Sequence, residues 1–409
     1  MLSFCILVDI CHLKRTLTIL FLLSALITNA QPEPRLVSFD FFGEKIEFEA
    51  SLNLLPTWNS DLSIANIQRF YEQANAAQLD KAIEALKNYK LNQKPDDWLF
   101  YQLIRKLSQQ ISPKNADYTR YTLYKWYFMV KCGYDAFLTY SGDRILFYVQ
   151  CDENIYNIPA RTKEGKQYVC LNYHDYGTID FTTASFKEVP FERQGVVNPF
   201  SYRVRQLPQF RPEQYAEKKL TFTYENQEYL FKVKINKDVQ SIFANYPVLD
   251  YNFSFNIPMS SETYSSLIPL LRKNIKGLNV KGGVDYLMKF TRYAFGYETD
   301  SDQFGKEKRL TPEETILYNQ SDCEDRAALF FYLVKEIYDL PMIVLSYPTH
   351  VTVAVQFKKA AGKPIIYKGN KYYVCEPTPQ ATDLRIGEQV PSLANVAYDI
   401  AYVYTPRVK

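Results

Sequence analysis

Residues 321–329 read SDCEDRAAL, and this stretch decides how the whole chain is interpreted. Acidic residues directly after Cys323 lead into an apolar segment, which is the pattern of a loop that turns into a helix. Downstream, His350 begins a β-branched run, and Glu376 follows the sequence YYVC at residues 372–375. A cysteine at a helix start, then a histidine, then a carboxylate, is the order of a nucleophile, a base and an orienting group.

The composition is that of a globular protein with a large core. The chain has 409 residues, of which 47% are apolar and 16% aromatic, including 34 tyrosines. This length predicts two or three domains, and the aromatic content favours a β-rich or mixed fold over disorder. The formal net charge is only +3, without a long basic run, so no nucleic-acid partner is expected.

The first 30 residues are predicted to be a signal peptide. A positively charged start precedes a short apolar run from Leu17 to Ile27, and small residues then precede Gln31. The apolar run is short for a membrane span, although an uncleaved anchor is the alternative. We therefore expect an exported protein, periplasmic or extracellular, with no stable membrane span after signal removal.

Removal of the leader leaves an odd number of cysteines in the mature chain. These are Cys132, Cys151, Cys170, Cys323 and Cys375. An exported protein with an odd count retains at least one unpaired thiol, and a nucleophile is one reason to retain it. Up to two disulfides among the other cysteines are compatible with the sequence, which does not assign them.

Hydrophobic periodicity predicts both helices and strands. Helices are predicted at residues 64–90, 98–111, 121–131, 264–275, 284–295 and 327–337. Strands are predicted at residues 37–53, 145–150, 167–173, 351–355 and 372–376, with a hairpin at 220–235. Between residues 178 and 255 the pattern is strand-like, with prolines marking loops.

A weak internal repeat organises the chain. Three collinear matches support it: residues 91–94 with 278–281, residues 130–135 with 334–339, and residues 168–170 with 373–375. The offset grows from 187 to 204 between the first two matches, so the second copy carries 17 extra residues, placed around residues 297–310. Chance similarity between two aromatic-rich helices is the alternative to duplication.

The two copies differ at the three polar positions. The offsets pair Cys323 with Thr119, His350 with Leu146 or Ile145, and Glu376 with Leu171. A first copy that retains the fold and lacks all three groups is what a catalytic role in the second copy predicts. A packing role for these residues would be expected to leave at least one of them behind.

Local chemistry supports the same three residues. A thiol at a helix N-terminus lies near the positive end of the helix dipole, so we expect the thiolate of Cys323 to be favoured. If the strands that carry His350 and Glu376 are adjacent and antiparallel, the carboxylate orients the imidazole. Cys375 then points to the opposite face from Glu376, which indicates a packing role for that thiol.

The segment from Gly277 to Pro379 resembles the transglutaminase-like superfamily, whose pattern is Gly-Asp-Cys, then His before a strand, then Asp-Pro-Thr. This chain departs from the pattern at Ser321 and Glu376, and it lacks the tryptophan often found after the histidine. The resemblance implies an α+β fold with a papain-like core, in which the cysteine helix packs on an antiparallel sheet, here duplicated with a β-rich connecting segment.

The resemblance also implies acyl transfer through a thioester, with Cys323, His350 and Glu376 as the triad. The Cys323 backbone N–H is one oxyanion donor. Asp322, Tyr297 and Gln303 are supporting candidates, since the second donor is not readable from the sequence.

Two functions are carried forward. The first is an exported cysteine-dependent enzyme, either a hydrolase or an amine-accepting transferase, acting on a peptide, protein or peptidoglycan amide. The second is a non-catalytic envelope scaffold built from two papain-like modules. The predicted domains are a signal peptide at 1–30, a degenerate module at 31–177, a β-rich segment at 178–258 and the catalytic domain at 259–409.

No cofactor or metal is predicted for either function, and the oligomeric state is left open. The sequence DSDQFG at residues 300–305 resembles a calcium loop, but Phe304 and Thr311 occupy positions that should be acidic or amidic, so an EF-hand is rejected. His174 is predicted to be a turn residue rather than a second catalytic histidine.

Overall fold

The computed structural model describes residues 35–51, 54–59, 61–77, 79–192, 195, 197–359 and 362–406. The predicted signal peptide at residues 1–30 lies outside these residues. The described part is a mixed α+β fold, with helices and mostly antiparallel sheets alternating along the chain.

The first half begins with a hairpin and ends with a sheet. The hairpin strands are β1 (Arg35–Phe41) and β2 (Glu44–Ala50). Four helices follow: α1 (Ile64–Ala76), α2 (Asp80–Gln93), α3 (Asp97–Ile111) and α4 (Tyr118–Lys131). The sheet strands are β3 (Ala136–Ser141), β4 (Arg144–Gln150), β5 (Ala160–Lys163), β6 (Lys166–Cys170) and β7 (Lys187–Glu188).

The second half has the same plan. Its hairpin is β8 (Ala216–Tyr224) and β9 (Gln227–Ile235), followed by α5 (Asp238–Phe243), α6 (Tyr251–Ser254), α7 (Ser261–Asn274) and α8 (Val280–Tyr293). An added segment holds β10 (Gly296–Tyr297), α9 (Asp300–Phe304), α10 (Pro312–Leu317) and β11 (Gln320–Ser321). Then come α11 (Cys323–Tyr338), β12 (Met342–Tyr347), β13 (His350–Gln356), β14 (Ile365–Tyr367), β15 (Asn370–Cys375) and β16 (Asp399–Tyr404).

The two five-stranded sheets share one topology. The first has the order β5-β6-β4-β3-β7, and the second has the corresponding order β14-β15-β13-β12-β16. All neighbouring strands in both sheets are antiparallel. The repeat that three short sequence matches predicted therefore corresponds to a repeated arrangement of strands.

Helix α11 is the centre of the second core. Its residues from Asp325 to Val334 are all buried, and it packs against β13 and α8. The contact with α8 is close, because a Cβ added at Gly283 would lie 1.6 Å from the Tyr338 hydroxyl oxygen. Glycine at this position therefore allows the two helices to approach.

The hairpin formed by β8 and β9 belongs to the same core. Its turn residues Glu225 and Asn226 both have positive φ, as a two-residue turn requires to match the strand twist. Inward-facing side chains of the hairpin, such as Phe222 and Phe231, pack against Phe290 of α8.

Most predicted helices are confirmed, but one predicted helix and one predicted strand-like region differ from the structure. The helix predicted over residues 64–90 is two helices, α1 and α2, separated near Ala77. The strand-like interpretation of residues 178–255 is wrong outside β7 and the hairpin at 216–235. The proline-rich part is irregular, and residues 238–243 and 251–254 are helical. Proline has no backbone N–H to donate to a neighbouring strand, so the proline-rich part is irregular rather than part of a sheet.

Among the described residues, no helix is long and apolar enough to cross a bilayer.

Candidate functional site

The start of α11 places Cys323 at the first helical position. Asp322 is the N-cap, and its side chain accepts hydrogen bonds from the backbone N–H groups of Glu324 and Asp325, at 3.0 and 3.2 Å. The Asp325 side chain in turn accepts the Asp322 N–H, which completes a capping box. The acidic run in the sequence therefore fixes where the helix begins, and with it the position of the thiol.

The Cys323 sulfur lies against the start of β13, where the backbone N–H of Val351 hydrogen-bonds to it and lowers its pKa. Burial outweighs this effect, and the nearby carboxylates of Asp322, Glu324 and Glu376 add to the burial, so the pKa of Cys323 rises to about 12. The expectation that the helix N-terminus would favour a resting thiolate is therefore wrong. The thiol is protonated in this arrangement.

His350 and Glu376 form a direct pair. The His350 Nε2 atom lies 2.8 Å from Glu376 Oε2, and the Glu376 carboxylate is buried. The other carboxylate oxygen accepts the backbone N–H of Thr378 at 2.8 Å, so both oxygens are held. A carboxylate partner on Nε2 favours the tautomer with its proton there, which leaves Nδ1 as the basic nitrogen.

Strand pairing explains how these two residues meet. Strand β13 pairs with β15 in antiparallel register, with Val353 opposite Cys375, so Glu376 lies just beyond the end of β15 and near the beginning of β13. The predicted adjacency of His350 and Glu376 is confirmed. Cys375 packs in the core beneath α11, on the face opposite to Glu376, which is also as expected.

Cys323 lies close to His350 in the fold, because its sulfur accepts a hydrogen bond from the backbone N–H of Val351, the residue after His350. In the described part of the chain, no hydrogen bond joins the Cys323 sulfur to the His350 ring. The structure thus brings together His350 and Glu376, and it places the Cys323 thiol at the adjacent Val351 N–H.

Tyr297, a supporting candidate from a different segment, interacts electrostatically with the thiol. It lies on β10, which pairs in parallel with β11 so that Tyr297 is opposite Ser321. Tyr297 is half-exposed; partial burial raises the pKa of its hydroxyl, and electrostatic interaction with Cys323 is the second cause. By contrast, the structure shows no contact between Cys323 and Gln303, whose buried Oε1 has no hydrogen-bond partner among the described residues.

Two buried arginines, Arg326 and Arg292, connect the elements that form the site. Neither was a predicted site residue. Arg326, one turn along α11 from Cys323, donates to the carbonyls at the end of α8 and just after it, those of Thr291, Arg292, Phe295 and Gly296. Arg292 of α8 donates two hydrogen bonds to the backbone carbonyl of Glu376. A chain of contacts therefore runs from the cysteine helix through α8 to the backbone of Glu376.

An acidic cluster lies beside the thiol. Asp300, Asp322 and Asp325 each place one carboxylate oxygen within 4.8 Å of the others. Burial, followed by the charge of Asp322, raises the pKa of Asp300 to about 7. These are the described residues that could hold a cation. Asp322 and Asp325 come from one segment and Asp300 from another, so sequence spacing alone does not reveal the cluster.

All five described cysteines are free thiols, so the disulfides left open by the sequence are not formed among them. The odd cysteine count therefore no longer singles out Cys323. His174 lies in a short 3₁₀ turn of the first half, where its Nε2 is 3.2 Å from Asp175, and burial lowers its pKa. It is not part of the Cys323 site.

The helix caps and strand register of the structure pair the residues of the two repeats differently from the sequence offsets. The N-cap Asp117 of α4 corresponds to Asp322, so Tyr118, rather than Thr119, occupies the position of Cys323. The tight turns that join β3 to β4 and β12 to β13 align Arg144 with His350.

The ladders that follow these turns, Tyr148 opposite Cys170 and Ala354 opposite Val374, then align Asn172 with Glu376. Leu171 instead corresponds to Cys375. The first repeat therefore lacks the thiol and the imidazole but retains a polar residue at the third position.

No protein-family model, curated protein or solved structure matches this chain.

Proposed function

We propose that this protein is an exported cysteine-dependent acyl-transfer enzyme of the transglutaminase-like class, acting on amide bonds of peptides or proteins. The observation that carries the proposal is the His350–Glu376 pair at 2.8 Å, with the Cys323 thiol at the adjacent Val351 N–H. A buried carboxylate that orients a histidine beside a thiol at a helix start is the arrangement that nucleophilic catalysis requires.

In the proposed reaction, the Cys323 sulfur attacks the amide carbonyl while His350 Nδ1 removes the thiol proton. The carbon–sulfur bond forms, and the tetrahedral intermediate collapses with cleavage of the carbon–nitrogen bond. His350 gives its proton to the departing amine, and a thioester remains on Cys323. If water then attacks the thioester, the carbon–sulfur bond breaks, the acid is released, and the enzyme is a hydrolase. If a second amine attacks, a new amide forms and the enzyme is a transferase.

The raised pKa of Cys323 determines how this reaction begins. Because burial and three carboxylates disfavour a resting thiolate, the proton leaves as the sulfur attacks rather than beforehand. Glu376 stabilises the imidazolium that forms at that moment. His350 thus acts as a general base during the attack, and it is not half of a stored thiolate–imidazolium pair.

The oxyanion of the tetrahedral intermediate has two donors in this proposal. Asp322 accepts its capping bonds from the N–H groups of Glu324 and Asp325, and the Cys323 N–H donates no hydrogen bond within the described part of the chain. This N–H is the first donor. The Tyr297 hydroxyl, which interacts with the thiol, is the second.

The alternative is a non-catalytic envelope scaffold, with both repeats used for binding. The raised pKa of Cys323 and the missing direct bond between thiol and imidazole favour it. In either case, export rests on the leader sequence at residues 1–30.

Profiling on a panel of peptide amides, with and without an added amine, separates the two functions. The mature chain is compared with Cys323→Ala, and Cys132→Ala, which removes another free thiol in the first repeat, is the matched control. We expect turnover by the wild type and by Cys132→Ala, and a loss of at least about 1,000-fold in Cys323→Ala. Equal turnover by the wild type and Cys323→Ala would reject the proposed cysteine-dependent activity.

A further inference from the structure

We propose that the first repeat binds the carboxylate of a small apolar acid, in a cavity between α3 and the β1–β2 hairpin. The cavity has a volume of about 410 Å³, which is within the range of small-molecule sites. One face of α3 lines it with four polar side chains at helical spacing, those of Gln102, Arg105, Lys106 and Gln109. This cavity lies in the repeat that lacks the thiol and the imidazole.

The guanidinium of Arg105 has unused donors at the cavity. It donates one hydrogen bond to Gln102 Oε1 at 2.9 Å and interacts with the Tyr121 hydroxyl. An arginine carries five N–H donors, so the others are without a partner in the described part of the chain. Lys106 is exposed beside it and forms no ion pair with a described residue.

Two buried polar groups at this wall also lack a partner. Gln102 is 8% exposed, and its Nε2 atom has no hydrogen-bond partner among the described residues. Lys125 is 1% exposed, and no described residue gives its ammonium a hydrogen bond or an ion pair. Its Nζ atom lies 4.5 Å from the ring centre of Tyr121, which lines the cavity. Buried donors without acceptors are costly, so both groups point to a missing anion.

Two carboxylates line the same cavity, and both have other partners. Asp40 accepts hydrogen bonds from Arg211 at 2.9 Å and from the Gly43 N–H at 3.0 Å. Asp238 accepts a hydrogen bond from Gln214 at 3.2 Å. Neither carboxylate pairs with the cations that α3 presents.

Positive charge is in excess around the cavity. The cations at its wall, or paired with its wall, are Arg105, Lys106, Lys114 and Arg211. The corresponding carboxylates are Asp40, Asp238 and Asp175, the last of which pairs with Lys114 at 2.5 Å. The buried ammonium of Lys125 adds to the excess, which a bound carboxylate would balance.

The chemistry of the walls favours a carboxylate with an apolar body over a bare anion. A guanidinium matches a planar carboxylate with two parallel hydrogen bonds. Phe41, Phe42 and Tyr121 add aromatic surface to the lining. An inorganic anion would leave this surface without a partner, whereas an apolar acid would cover it.

The repeat provides an internal comparison for Arg105. The offset of 187 residues in the first sequence match pairs it with Arg292. Arg292 donates two hydrogen bonds to the Glu376 carbonyl, whereas no described hydrogen bond joins Arg105 to Asn172, the counterpart of Glu376. The arginine that connects elements in the second repeat therefore faces a cavity in the first.

Calorimetric titration of the mature full chain with phenylacetate tests the proposal, and phenylethanol is the uncharged match. Neither probe has an amide or ester to cleave, so the result does not depend on the proposed reaction. We expect one phenylacetate per chain with a Kd below about 1 mM. Phenylethanol should bind at least about tenfold more weakly, because the charge-assisted hydrogen bonds are lost. Inorganic phosphate should also bind at least about tenfold more weakly, because it has no apolar body.

Variants locate the site. Arg105→Gln and Lys106→Glu should each weaken phenylacetate binding at least about tenfold. Lys87→Glu is the matched control, since Lys87 is exposed on α2 and does not line the cavity. It should bind as the wild type does. Because Lys106 is exposed, its variant should retain the wild-type unfolding temperature, and it decides the test even if Arg105→Gln fails to fold.

Four results would overturn the proposal. They are no binding of phenylacetate by the wild type at about 1 mM, equal binding of phenylacetate and phenylethanol, binding of phosphate at least as tight as that of phenylacetate, and equal binding by Lys106→Glu and Lys87→Glu. Cys323→Ala should bind phenylacetate like the wild type, and loss of binding in this variant would instead place the ligand in the second repeat.

Discussion

Glu376 determines the geometry of the site at the scale of single residues. One carboxylate oxygen pairs with His350, and the other accepts the Thr378 N–H, so the imidazole has one preferred orientation. The order of cysteine, histidine and carboxylate made this pair predictable from sequence, because two short strands could be recognised. The raised pKa of Cys323 was not predictable, since burial, its largest cause, and the proximity of Glu376 both depend on how the chain packs.

Glu376→Gln tests the orienting role. The amide retains an acceptor for the Thr378 N–H, but it can no longer stabilise an imidazolium, so kcat on an amide substrate should fall about 100- to 10,000-fold. Steady-state kinetics measure the effect, with the exposed Glu388→Gln as the control. A kcat within twofold of the wild type would show that the pair is structural.

The pH dependence of alkylation tests the protonation state of Cys323. A pKa raised from 9.0 to about 12 means that a smaller fraction is thiolate at every pH than in a free cysteine. The rate with iodoacetamide should therefore rise about tenfold per pH unit up to about pH 10, without levelling. Peptide mass spectrometry measures the rate, and the urea-unfolded chain is the control. Levelling near about pH 7 would instead indicate a preformed ion pair.

At the scale of elements, two arginine contacts connect the parts of the site. Arg326 binds the carbonyls at the end of α8, and Arg292 of α8 binds the Glu376 carbonyl. Periodicity predicted both helices and placed Arg292 on one of them, whereas Arg326 lies just before the predicted start of the other at residue 327. It could not predict the contacts, because each one joins positions far apart in the chain through a buried guanidinium.

Arg292→Lys tests this connection. Lysine retains the charge but cannot donate the paired hydrogen bonds to Glu376, so the carboxylate should shift. We expect kcat to fall about 10- to 100-fold, with a loss of about 1.5–3 kcal/mol in the free energy of unfolding. Arg272→Lys, which removes an arginine–carbonyl bond at Glu336 on the protein surface, is the control. Equal kcat values for both variants would contradict the positioning role.

At the scale of the whole molecule, one fold plan is used twice, and the group of Cys323, His350 and Glu376 occurs in one of the two described repeats. The strand orders agree, yet Tyr118, Arg144 and Asn172 stand where the second repeat has its thiol, imidazole and carboxylate. The sequence matches indicated the duplication but misaligned the three site positions by one or two residues. At the third position the error arose because the matches paired Cys170 with Cys375. These two cysteines face opposite sides of their sheets, so only the ladders reveal the correct register.

Asn172→Ala separates stability from activity. The Asn172 side chain accepts the Phe147 N–H and donates to the Ile145 carbonyl and the Tyr118 hydroxyl, all in the first repeat. Its loss should lower the free energy of unfolding by at least about 3 kcal/mol in urea. The kcat should stay within twofold, because the triad lies in the second repeat. Asn154→Ala, at an exposed position, is the control, and a selective loss of kcat in Asn172→Ala would place the first repeat in the reaction.

The most direct test of the central claim is to detect an acyl group on Cys323. The wild type is mixed with the peptide amide panel, quenched in acid, and digested for mass spectrometry of the peptide that contains Cys323. The account predicts an acyl mass on Cys323 that hydroxylamine removes, together with release of the amine, and neither in Cys323→Ala. Amine release without any acyl mass on Cys323, or equal release by Cys323→Ala, would contradict it.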